Sequence, residues 1–314
     1  MTSTLRLAVI GVGHLGQHHA RLLATMDDVE LVGVVDTKPG RADEVATKYG
    51  TRPFMAASDV LGHVDAVCVA VPTVSHVSIA MPFIDAGVSV LVEKPIAASV
   101  DDADRLIEAA DRRGVTLAAG HTERFNPAVA AALPLVSDPR FVEIHRLGTF
   151  PERSLDIDVV FDLMIHDLDL LLAAVRSDVV AVEAIGVNVL TPRTDIANAR
   201  LRFASGCVAN VTASRISRDR VRKVRFFQHD SYLSVDYAAQ EVELYRLAPG
   251  KAGDPRPVIQ GGKLEIAHEE PLKRELNDFV DAVRTRRAPG VPGRAGRDAL
   301  ALATRIAEQM ESAV

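Results

Sequence analysis

The chain has 314 residues, 48% of them hydrophobic and 25% charged, with a net charge of −6. This length suffices for two domains with separate cores, and the acidic balance argues against a general nucleic-acid-binding protein. We expect no membrane span and no signal sequence. Cys68 and Cys207 lie in apolar, strand-like runs, which indicates buried thiols in a reducing compartment and predicts a cytoplasmic protein.

An apolar run, residues 5–10, leads into a G-x-G-x-x-G turn and then a helix-compatible segment. This is the order of a phosphate-binding strand, turn and helix. Gly11 allows the tight turn, Gly13 lets the backbone approach a pyrophosphate, and Gly16 lets the helix lie close to the strand. Amides at the helix N-terminus would face the phosphates. The predicted cofactor contacts here are Gly11, Gly13, His14, Leu15 and Gly16.

A second apolar run, residues 30–35, ends at Asp36, twenty residues after Gly16. An acid there can accept hydrogen bonds from both ribose hydroxyls of adenosine and would repel a 2′-phosphate. The spacing therefore favours NAD over NADP. Lys38 and Arg41 could pair with a 2′-phosphate if Asp36 turned away, and an aspartate that caps the next helix is the structural alternative.

Short apolar runs alternate with amphipathic helices up to about residue 120, which predicts an α/β fold with a parallel, doubly wound sheet. In chain order we expect helix 41–49, edge strand 53–54, a brief helix at 58–62, strand 66–71, helix 75–86, strand 88–92, helix 99–113 and strand 116–120.

After His121 the pattern changes to strands joined by short turns, which predicts an α+β domain with one large, mixed, mostly antiparallel sheet. We expect a Rossmann domain over residues 1–121, and a domain for substrate binding and oligomerisation over residues 122–314. A monomer has little to cover one face of this large sheet. We therefore expect a second copy to bury that face, in a homodimer or a homotetramer. The predicted elements are a helix from 127, strand 141–147, helix 159–175, strands at 179–190, 197–203, 207–214, 221–228, 232–235 and 242–247, a mobile loop at 250–262, and helices 272–286 and 295–312.

Two groups of residues combine reactive side chains with a suitable position. Lys94 ends a strand before Pro95, at the strand edge where ligands bind in an open α/β sheet; a surface lysine is the alternative. Asp162 and His166 are four residues apart on a predicted helix and therefore share a face. A partly buried imidazole beside a carboxylate is a candidate base near neutral pH, and a polar helix edge is the alternative.

Two further clusters have simpler interpretations. His14, His18 and His19 lie near the glycine turn, but no carboxylate or cysteine completes a metal site, so no metal is predicted. The second cluster is a cationic stretch that consists of Arg215, Arg218, Arg220, Arg222, Lys223 and Arg225. Arginine side chains suit a diphosphate. For most of these residues the alternative is a solvated strand face or a subunit contact.

The chain resembles the glucose–fructose oxidoreductase/inositol dehydrogenase (Gfo/Idh/MocA) family over nearly its full length. The resemblance rests on Gly11 to Gly16, Val71-Pro72-Thr73 with His76, Glu93-Lys94-Pro95 and Asp162-x-x-x-His166. It implies an NAD-dependent dehydrogenase acting on a sugar. It also implies that Thr73, His76, Glu93 and Lys94 lie at the cofactor.

The resemblance further implies hydride transfer from a secondary alcohol to the nicotinamide. Neutral His166 would take the hydroxyl proton, Asp162 would hold the imidazole, and Lys94 would donate to the same oxygen; whether Lys94 or His166 is the base stays open. Arg124 and Asn126 would lie beside the nicotinamide and the substrate. The alternative for Arg124 is a surface pair with a glutamate, and the alternative for Asn126 is a helix N-cap.

The substrate is indicated by the residues around Asp162. Many members have a glycine-rich approach there, whereas this chain has residues 156–161, DIDVVF, and Met164 in place of a small residue. Together with residues 120–127, this looks more like the nucleotide-sugar branch, whose members oxidise C3 of a UDP-N-acetylhexosamine. One alternative is a dehydrogenase of a free monosaccharide or inositol. A second is a non-catalytic NAD-binding regulator, and the presence of Lys94, Asp162 and His166 together argues against it.

Overall fold

The computed structural model describes residues 4–150, 157–249 and 256–311. Internal contacts divide the chain into two compact units, Met1–Thr122 with Glu270–Leu300, and Glu123–Glu269 with Ala301–Val314. A single boundary after residue 121 therefore describes the division incompletely, because a segment near the C-terminus belongs to the first unit.

Fourteen strands and eight α-helices lie within the described residues. The strands are β1 (Leu5–Ile10), β2 (Val29–Val35), β3 (Arg52–Phe54), β4 (Ala66–Val69), β5 (Ser89–Glu93), β6 (Leu117–Gly120), β7 (Phe141–Leu147), β8 (Val179–Val187), β9 (Ile196–Phe203), β10 (Val208–Ser214), β11 (Val221–Phe227), β12 (Ser231–Asp236), β13 (Glu241–Ala248) and β14 (Val258–Lys263). The α-helices are α1 (Gly16–Leu23), α2 (Pro39–Tyr49), α3 (His76–Asp85), α4 (Val100–Arg113), α5 (Pro127–Ala132), α6 (Ile165–Val175), α7 (Pro271–Thr285) and α8 (Gly293–Glu311). Residue 312, the predicted end of the last helix, lies outside the described residues.

The first unit is built on a parallel sheet with the strand order β3-β2-β1-β4-β5-β6. This order reverses between β1 and β4, and in doubly wound sheets ligands bind at that reversal, outside the carboxyl ends of the strands. Every residue of β4 and β5 is buried, because helices cover both faces of such a sheet. The predicted doubly wound parallel sheet is confirmed.

Helix α7 lies in the core of the first unit although it comes late in the chain. Its residues Leu276, Phe279 and Val280 belong to one buried cluster with Leu7 of β1 and Leu23 of α1. Spacings of three and four residues place these side chains on one face of the helix. One apolar stripe of α7 therefore completes the core around β1 and α1.

The second unit contains an eight-stranded sheet in the order β14-β13-β12-β11-β7-β10-β9-β8. Among its described strands, all neighbours are antiparallel except β7 and β10, which are parallel. Alternate residues face opposite sides, so Val142, Ile144 and Arg146 of β7 are buried while the residues between them are half-buried. The predicted mixed, mostly antiparallel sheet is confirmed.

The mobile loop predicted at 250–262 is partly wrong, because residues 258–263 form β14, which pairs with β13; residues 250–255 lie outside the described residues. Gly261 and Gly262 have φ of +136° and +153°, a conformation that other residues rarely adopt. A Cβ on Gly261 would overlap the carbonyl oxygen of Leu244. The glycines that suggested a loop therefore permit this strand to approach β13.

The helix predicted at 159–175 is present but is not a continuous α-helix. Val160–Met164 form a π-helical turn, closed by a hydrogen bond from the Ile165 amide to the Val160 carbonyl oxygen, and α6 begins at Ile165. Such widened turns occur frequently at functional sites. Asp162 lies in the π turn and His166 lies four positions further on, in α6.

Candidate active site

The turn after β1 has the geometry that a pyrophosphate needs. Gly11 has φ +87°, and a Cβ there would lie 2.7 Å from the carbonyl oxygen of Ala70. A Cβ on Gly16 would overlap the Gly11 carbonyl oxygen, so only glycine lets α1 begin this close to the turn. An added Cβ on Gly13 would meet only Nη1 of Arg41, at 3.6 Å. The backbone at Gly13 therefore faces open space, as a phosphate cradle requires.

The N-terminus of α1 offers further donors to an anion. Among the described residues, no side chain caps this end of the helix; the amides of Gln17 and His18 donate to the carbonyl oxygens of Gly13 and Leu15, so the donors left for a ligand are those of the turn itself. His14 and Leu15 are exposed at the turn. The turn residues thus fit a dinucleotide by shape, and their individual contacts with it stay predictions.

Asp36 follows β2 and turns its carboxylate toward the glycine turn. Its Oδ2 accepts a hydrogen bond from the Val12 amide at 3.1 Å, and its Oδ1 accepts one from the Lys38 amide at 2.9 Å. Nη1 of Arg41 lies 3.3 Å from the same Oδ2. The carboxylate is therefore paired with Arg41, the residue whose charge would be needed to bind a 2′-phosphate. This arrangement fits NAD rather than NADP.

Glu93 ends β5 with a buried carboxylate that is bonded within the protein. Its Oε1 lies 2.8 Å from Nε2 of His19 on α1, and its Oε2 accepts the Lys94 amide at 3.2 Å. Burial alone would raise the pKa of Glu93, but His19 and the Lys94 amide outweigh it and lower the pKa. A carboxylate only accepts, so His19 carries a hydrogen on Nε2. A Cβ on Gly120 of β6 would lie 2.9 Å from Oε2, so the neighbouring strand leaves room for this group.

This geometry shows what holds Glu93 and reveals a residue that the sequence interpretation missed. The buried Glu93 carboxylate fixes the backbone of Lys94, and its predicted place at the cofactor stays a prediction. His19, which the sequence interpretation considered only for a metal site that it rejected, connects the helix of the glycine turn to the strand that ends at Lys94. Its place on the buried side of α1, beside Ala20 and Leu23, is a weak signal that was present in the sequence.

His76 has a buried ring that is 1% exposed. Its Nδ1 lies 2.9 Å from the carbonyl oxygen of Pro95, and its Nε2 lies 2.9 Å from that of Val71. Burial lowers the pKa of His76, although both carbonyl groups and Glu93 oppose the shift. The ring therefore connects the turn after β4 to the turn after β5, and its predicted place at the cofactor stays a prediction.

Lys94 lies at the carboxyl end of β5 and is half-buried. The bond between Lys94 and Pro95 is a cis peptide. Thr73 lies in the short 3₁₀ turn that precedes α3 and is also half-buried. Both residues thus lie at the strand edge where an open α/β sheet binds ligands, and their roles stay predictions.

In the second unit, Asp162 and His166 are half-buried. The next residue, Asp167, is fully buried and accepts two hydrogen bonds from Arg146 of β7, Nε to Oδ2 at 2.7 Å and Nη2 to Oδ1 at 3.0 Å. Nη1 of Arg146 donates to Glu123 at 3.1 Å. Burial would lower the pKa of Arg146, but the two carboxylates outweigh it and raise the pKa. This charged group fixes α6 to the sheet one residue away from His166.

Arg124 and Asn126 are both hydrogen-bonded within the second unit. Nη1 of Arg124 donates to Asp169 at 3.3 Å, whereas Glu123 pairs with Arg146, so the alternative pair of Arg124 with Glu123 is not formed; the predicted substrate contacts stay predictions. Asn126 is 3% exposed; its Oδ1 accepts the Ala128 amide at 3.0 Å and its Nδ2 donates to the Tyr237 carbonyl oxygen at 3.0 Å. Asn126 is therefore the N-cap of α5, as the alternative proposed, because both ends of its side chain are bonded within the protein.

The segment that leads into the π turn is held by a second buried ion pair. Nε of Arg215 lies 3.5 Å from Oδ1 of Asp195, and the two side chains are 2% and 0% exposed. Arg215 also donates to the carbonyl oxygens of Ile157 and, at 2.8 Å, Thr194. The Thr194 amide donates to Asp158 at 2.8 Å. Arg215 thus supports the approach to Asp162; residue 156 lies outside the described residues.

Within residues 4–150, 157–249 and 256–311, no group of His, Cys, Asp and Glu could hold a metal ion. The helices in the described part of the chain are all too short or too polar to cross a membrane. Cys68 and Cys207 are buried free thiols, as predicted.

Comparison with known proteins identifies the family that this chain matches and several similar proteins. Residues 5–121 match the family model described as "Oxidoreductase family, NAD-binding Rossmann fold", and residues 138–229 match the "GFO/IDH/MocA C-terminal domain". The chain is 38% identical over 309 residues to UDP-N-acetylglucosamine 3-dehydrogenase of Acidithiobacillus ferrooxidans, with 98% of each chain covered. A solved structure of that enzyme matches with a TM-score of 0.91 over 98% of both chains. An inositol 2-dehydrogenase of Saccharopolyspora erythraea is 32% identical over 192 residues, which cover 58% of this chain and 57% of the relative.

Proposed function

Because this chain belongs to the Gfo/Idh/MocA family of NAD-binding oxidoreductases, we propose that it oxidises C3 of a UDP-N-acetylhexosamine, with UDP-N-acetylglucosamine as the first candidate. The observation that carries the proposal is the similarity to UDP-N-acetylglucosamine 3-dehydrogenase over 98% of both chains. The similarity to the inositol dehydrogenase covers 58% of this chain and therefore supports that alternative less.

NAD, when bound, supplies the acceptor for the hydride that leaves C3. His166 takes the proton of the C3 hydroxyl, Asp162 holds the imidazole in the required tautomer, and Lys94 donates a hydrogen bond to the substrate oxygen. The C–H bond at C3 and the O–H bond break, a C=O bond forms, and the proton stays on His166. The products are a 3-keto sugar and the reduced cofactor.

Two buried contacts support these roles. The Glu93 carboxylate fixes the backbone of Lys94, and the bidentate bond between Asp167 and Arg146 fixes the helix that carries His166. Each proposed reacting group is thus next in sequence to a buried, bonded acid. Rigid support of this kind keeps a catalytic group in its productive geometry.

The direct test is absorbance of NADH with the purified chain, NAD and a panel of UDP-N-acetylglucosamine, UDP-N-acetylgalactosamine, free N-acetylglucosamine and myo-inositol. We expect reduction of NAD with the UDP sugars. Substrate deuterated at C3 should give deuterated NADH, and the sugar product should lose two hydrogens by mass spectrometry. Turnover of inositol alone would establish the alternative, and no turnover with any member would support a binding protein.

The roles of Lys94 and His166 are tested separately. Lys94→Ala and His166→Ala should each abolish turnover, while fluorescence titration still shows NADH binding. Asp162→Asn should reduce kcat, because it leaves the imidazole without its charged partner. Turnover like that of the wild type in the Lys94 or His166 variant would contradict the assignment.

We also propose that the chain forms a homodimer or homotetramer through the second sheet. An aromatic row crosses four neighbouring strands, with ring centroids 5.6, 5.3 and 6.3 Å apart, and it consists of Phe141, Phe227, Tyr232 and Tyr245. Leu247 and Ile259 are 59% and 75% exposed. Apolar surface of this kind supports an interface with a second copy. Sedimentation at micromolar concentration tests this, and a monomer there would contradict it.

A further inference from the structure

The cationic stretch between β10 and the end of β11 separates into paired and unpaired side chains. Three cations have acidic partners, Arg215 with Asp195 at 3.5 Å, Lys223 with Asp236 at 3.9 Å, and Arg225 with Glu143 at 2.7 Å. Arg222 makes no ion pair with a described residue, and its side chain is exposed. Arg222 is therefore the member of β11 that can take an anion from solution.

Arg222 lies on β11 directly opposite Arg146 of β7. Directly opposed residues of antiparallel strands point to the same side of the sheet, and like charges there repel each other. Arg146 is hydrogen-bonded to Asp167 and Glu123, which take up its donors. Loss of hydration around the guanidinium lowers the pKa of Arg222; the charges of Arg146 and Arg220 add to this shift, and those of Glu123 and Asp167 oppose it. With Arg220 included, three arginines thus lie near two carboxylates at this edge of the cluster.

Tyr237 provides an independent observation at the same place. The residue is 3% exposed, and its hydroxyl has no hydrogen-bond partner among the described residues. Its ring centroid lies 5.5 Å from the Arg146 guanidinium, and its amide donates to the Arg222 carbonyl oxygen at 2.9 Å. Buried hydroxyl groups nearly always have a partner, so an unsatisfied polar group of the protein lies beside the charged cluster.

We propose that Arg222, together with Arg220 two residues before it, binds the diphosphate group of the nucleotide-sugar substrate. The identity of the substrate rests on the proposed function. Two guanidinium groups match the two negative charges of a diphosphate diester, and each planar fork can donate two parallel hydrogen bonds to phosphate oxygens. Arg146, the neighbour of Arg222 on β7, is paired with Asp167, and Asp167 directly follows His166. A diphosphate bound at Arg222 would therefore lie close to the helix that carries the proposed base. A free sugar or inositol offers these arginines no anion, which makes them determinants of specificity.

The test is steady-state kinetics with UDP-N-acetylglucosamine and NAD, with UDP alone as a competitive inhibitor. Arg222→Ala should raise KM for the sugar nucleotide and the inhibition constant of UDP by about tenfold to a hundredfold, the range for a lost charge-assisted hydrogen bond. KM for NAD and kcat should change little. Arg222→Lys should recover part of the loss, since it keeps the charge but not the fork. Arg220→Ala should act in the same direction.

The matched control is Arg140→Ala, which removes an exposed arginine of the same unit that lies 4.0 Å from Asp138 and should leave every constant unchanged. Unchanged KM and UDP inhibition in the Arg222 and Arg220 variants would overturn the inference. A rise in KM for NAD instead would also overturn it, because the arginines would then bind the cofactor's pyrophosphate.

If the wild type does not oxidise UDP-N-acetylglucosamine, the proposed function is wrong but the diphosphate site is still open to test. Titration calorimetry with UDP then tests that site directly. UDP binding that is weaker in Arg222→Ala would support a diphosphate site. No UDP binding by the wild type would overturn it.

Discussion

The two units hold their candidate functional groups by different means. In the first unit the backbone supplies most of the contacts, through a glycine turn, the uncapped N-terminus of α1, and carbonyl oxygens connected by His76, beside one buried pair, His19 with Glu93. In the second unit, buried ion pairs hold the helix of His166 and its approach, namely Arg146 with Asp167 and Arg215 with Asp195.

This difference predicts different vulnerabilities. A site made from backbone atoms fails when a Cβ is added, because amides and carbonyls cannot move aside. A site held by buried ion pairs fails when one partner is removed, because the remaining charge is left unpaired away from water. Changing one support in each unit, and measuring both stability and ligand binding, tests this difference.

The largest effect is expected from Asp167→Ala in the second unit. It leaves Arg146 buried with only Glu123, and we expect the free energy of unfolding to fall by about 3–5 kcal/mol, with loss of turnover but retained NADH binding. Urea denaturation measures the first effect. Replacing Arg146 and Asp167 together by Leu should cost less, because both fully buried charges are removed and Glu123, which loses its partner, is partly exposed.

The control for this prediction is Arg105→Ala, which breaks an exposed pair with Asp102 on α4. Such a pair contributes no more than about 1 kcal/mol. A similar loss of stability in the control and in Asp167→Ala would refute the idea that burial makes the second unit depend on matched charges.

Acid should affect the two units in different pH ranges. Burial lowers the pKa of His76, so the unfolded chain takes up this proton first and the first unit loses stability as the pH falls below about 6.5. Burial would raise the pKa of Asp195, but backbone hydrogen bonds from Leu190 and Thr191 outweigh it and lower the pKa to about 2. Its contribution, about 2 kcal/mol, is present above about pH 4 and is lost as the pH falls toward 2.

Hydrogen exchange measured by mass spectrometry over a pH series checks both ranges. His76→Gln should remove the early loss of protection in the first unit and leave the second unit unchanged. The same early loss in the variant would show that other groups are responsible.

Gly13→Ala tests the backbone cradle with a smaller expected effect. Only Nη1 of Arg41 lies near the added Cβ, so stability should be retained, whereas the Kd for NADH should rise about tenfold because a side chain would lie where the pyrophosphate approaches. Calorimetry measures the binding. Gly16→Ala, whose Cβ would overlap the Gly11 carbonyl oxygen, should lower both stability and binding, and equal behaviour of the two variants would contradict the geometry.

The smallest effect is expected at a helix end far from any buried ion pair. Oγ of Ser99 accepts the Asp102 amide at 3.2 Å and caps α4. Ser99→Ala should lower the free energy of unfolding by about 1 kcal/mol and leave NADH binding unchanged. Thermal denaturation measures this, and a loss as large as that of Asp167→Ala would mean that the first unit is as sensitive as the second.

Features encoded by neighbouring residues were predictable from the sequence. The glycine turn and the cap at Ser99 depend on residues a few positions apart, Asp36 stands at a fixed spacing after the glycine turn, and the parallel sheet follows from the alternation of apolar runs and helices. Gly50 and Gly114 end α2 and α4 in the left-handed conformation, for the reason that makes glycine common there.

Features made by distant partners were not predictable in this way. Glu93 meets His19 across 74 positions, and Arg146 meets Asp167 across 21, with no local pattern to connect them. Asn126 has both side-chain ends bonded in the fold, which residue type alone does not reveal. The π turn before α6 depends on backbone hydrogen bonds that hydrophobic periodicity does not report.

The position of α7 has a consequence for how this protein is made. A truncated chain ending at residue 121 would expose the side of β1 and α1 that Leu276, Phe279 and Val280 cover. During synthesis, the nascent nucleotide-binding unit must therefore wait for most of the polypeptide to leave the ribosome before its interior can close. The order of the segments in the gene thus makes this unit late to mature, although its first strands are the earliest to be translated.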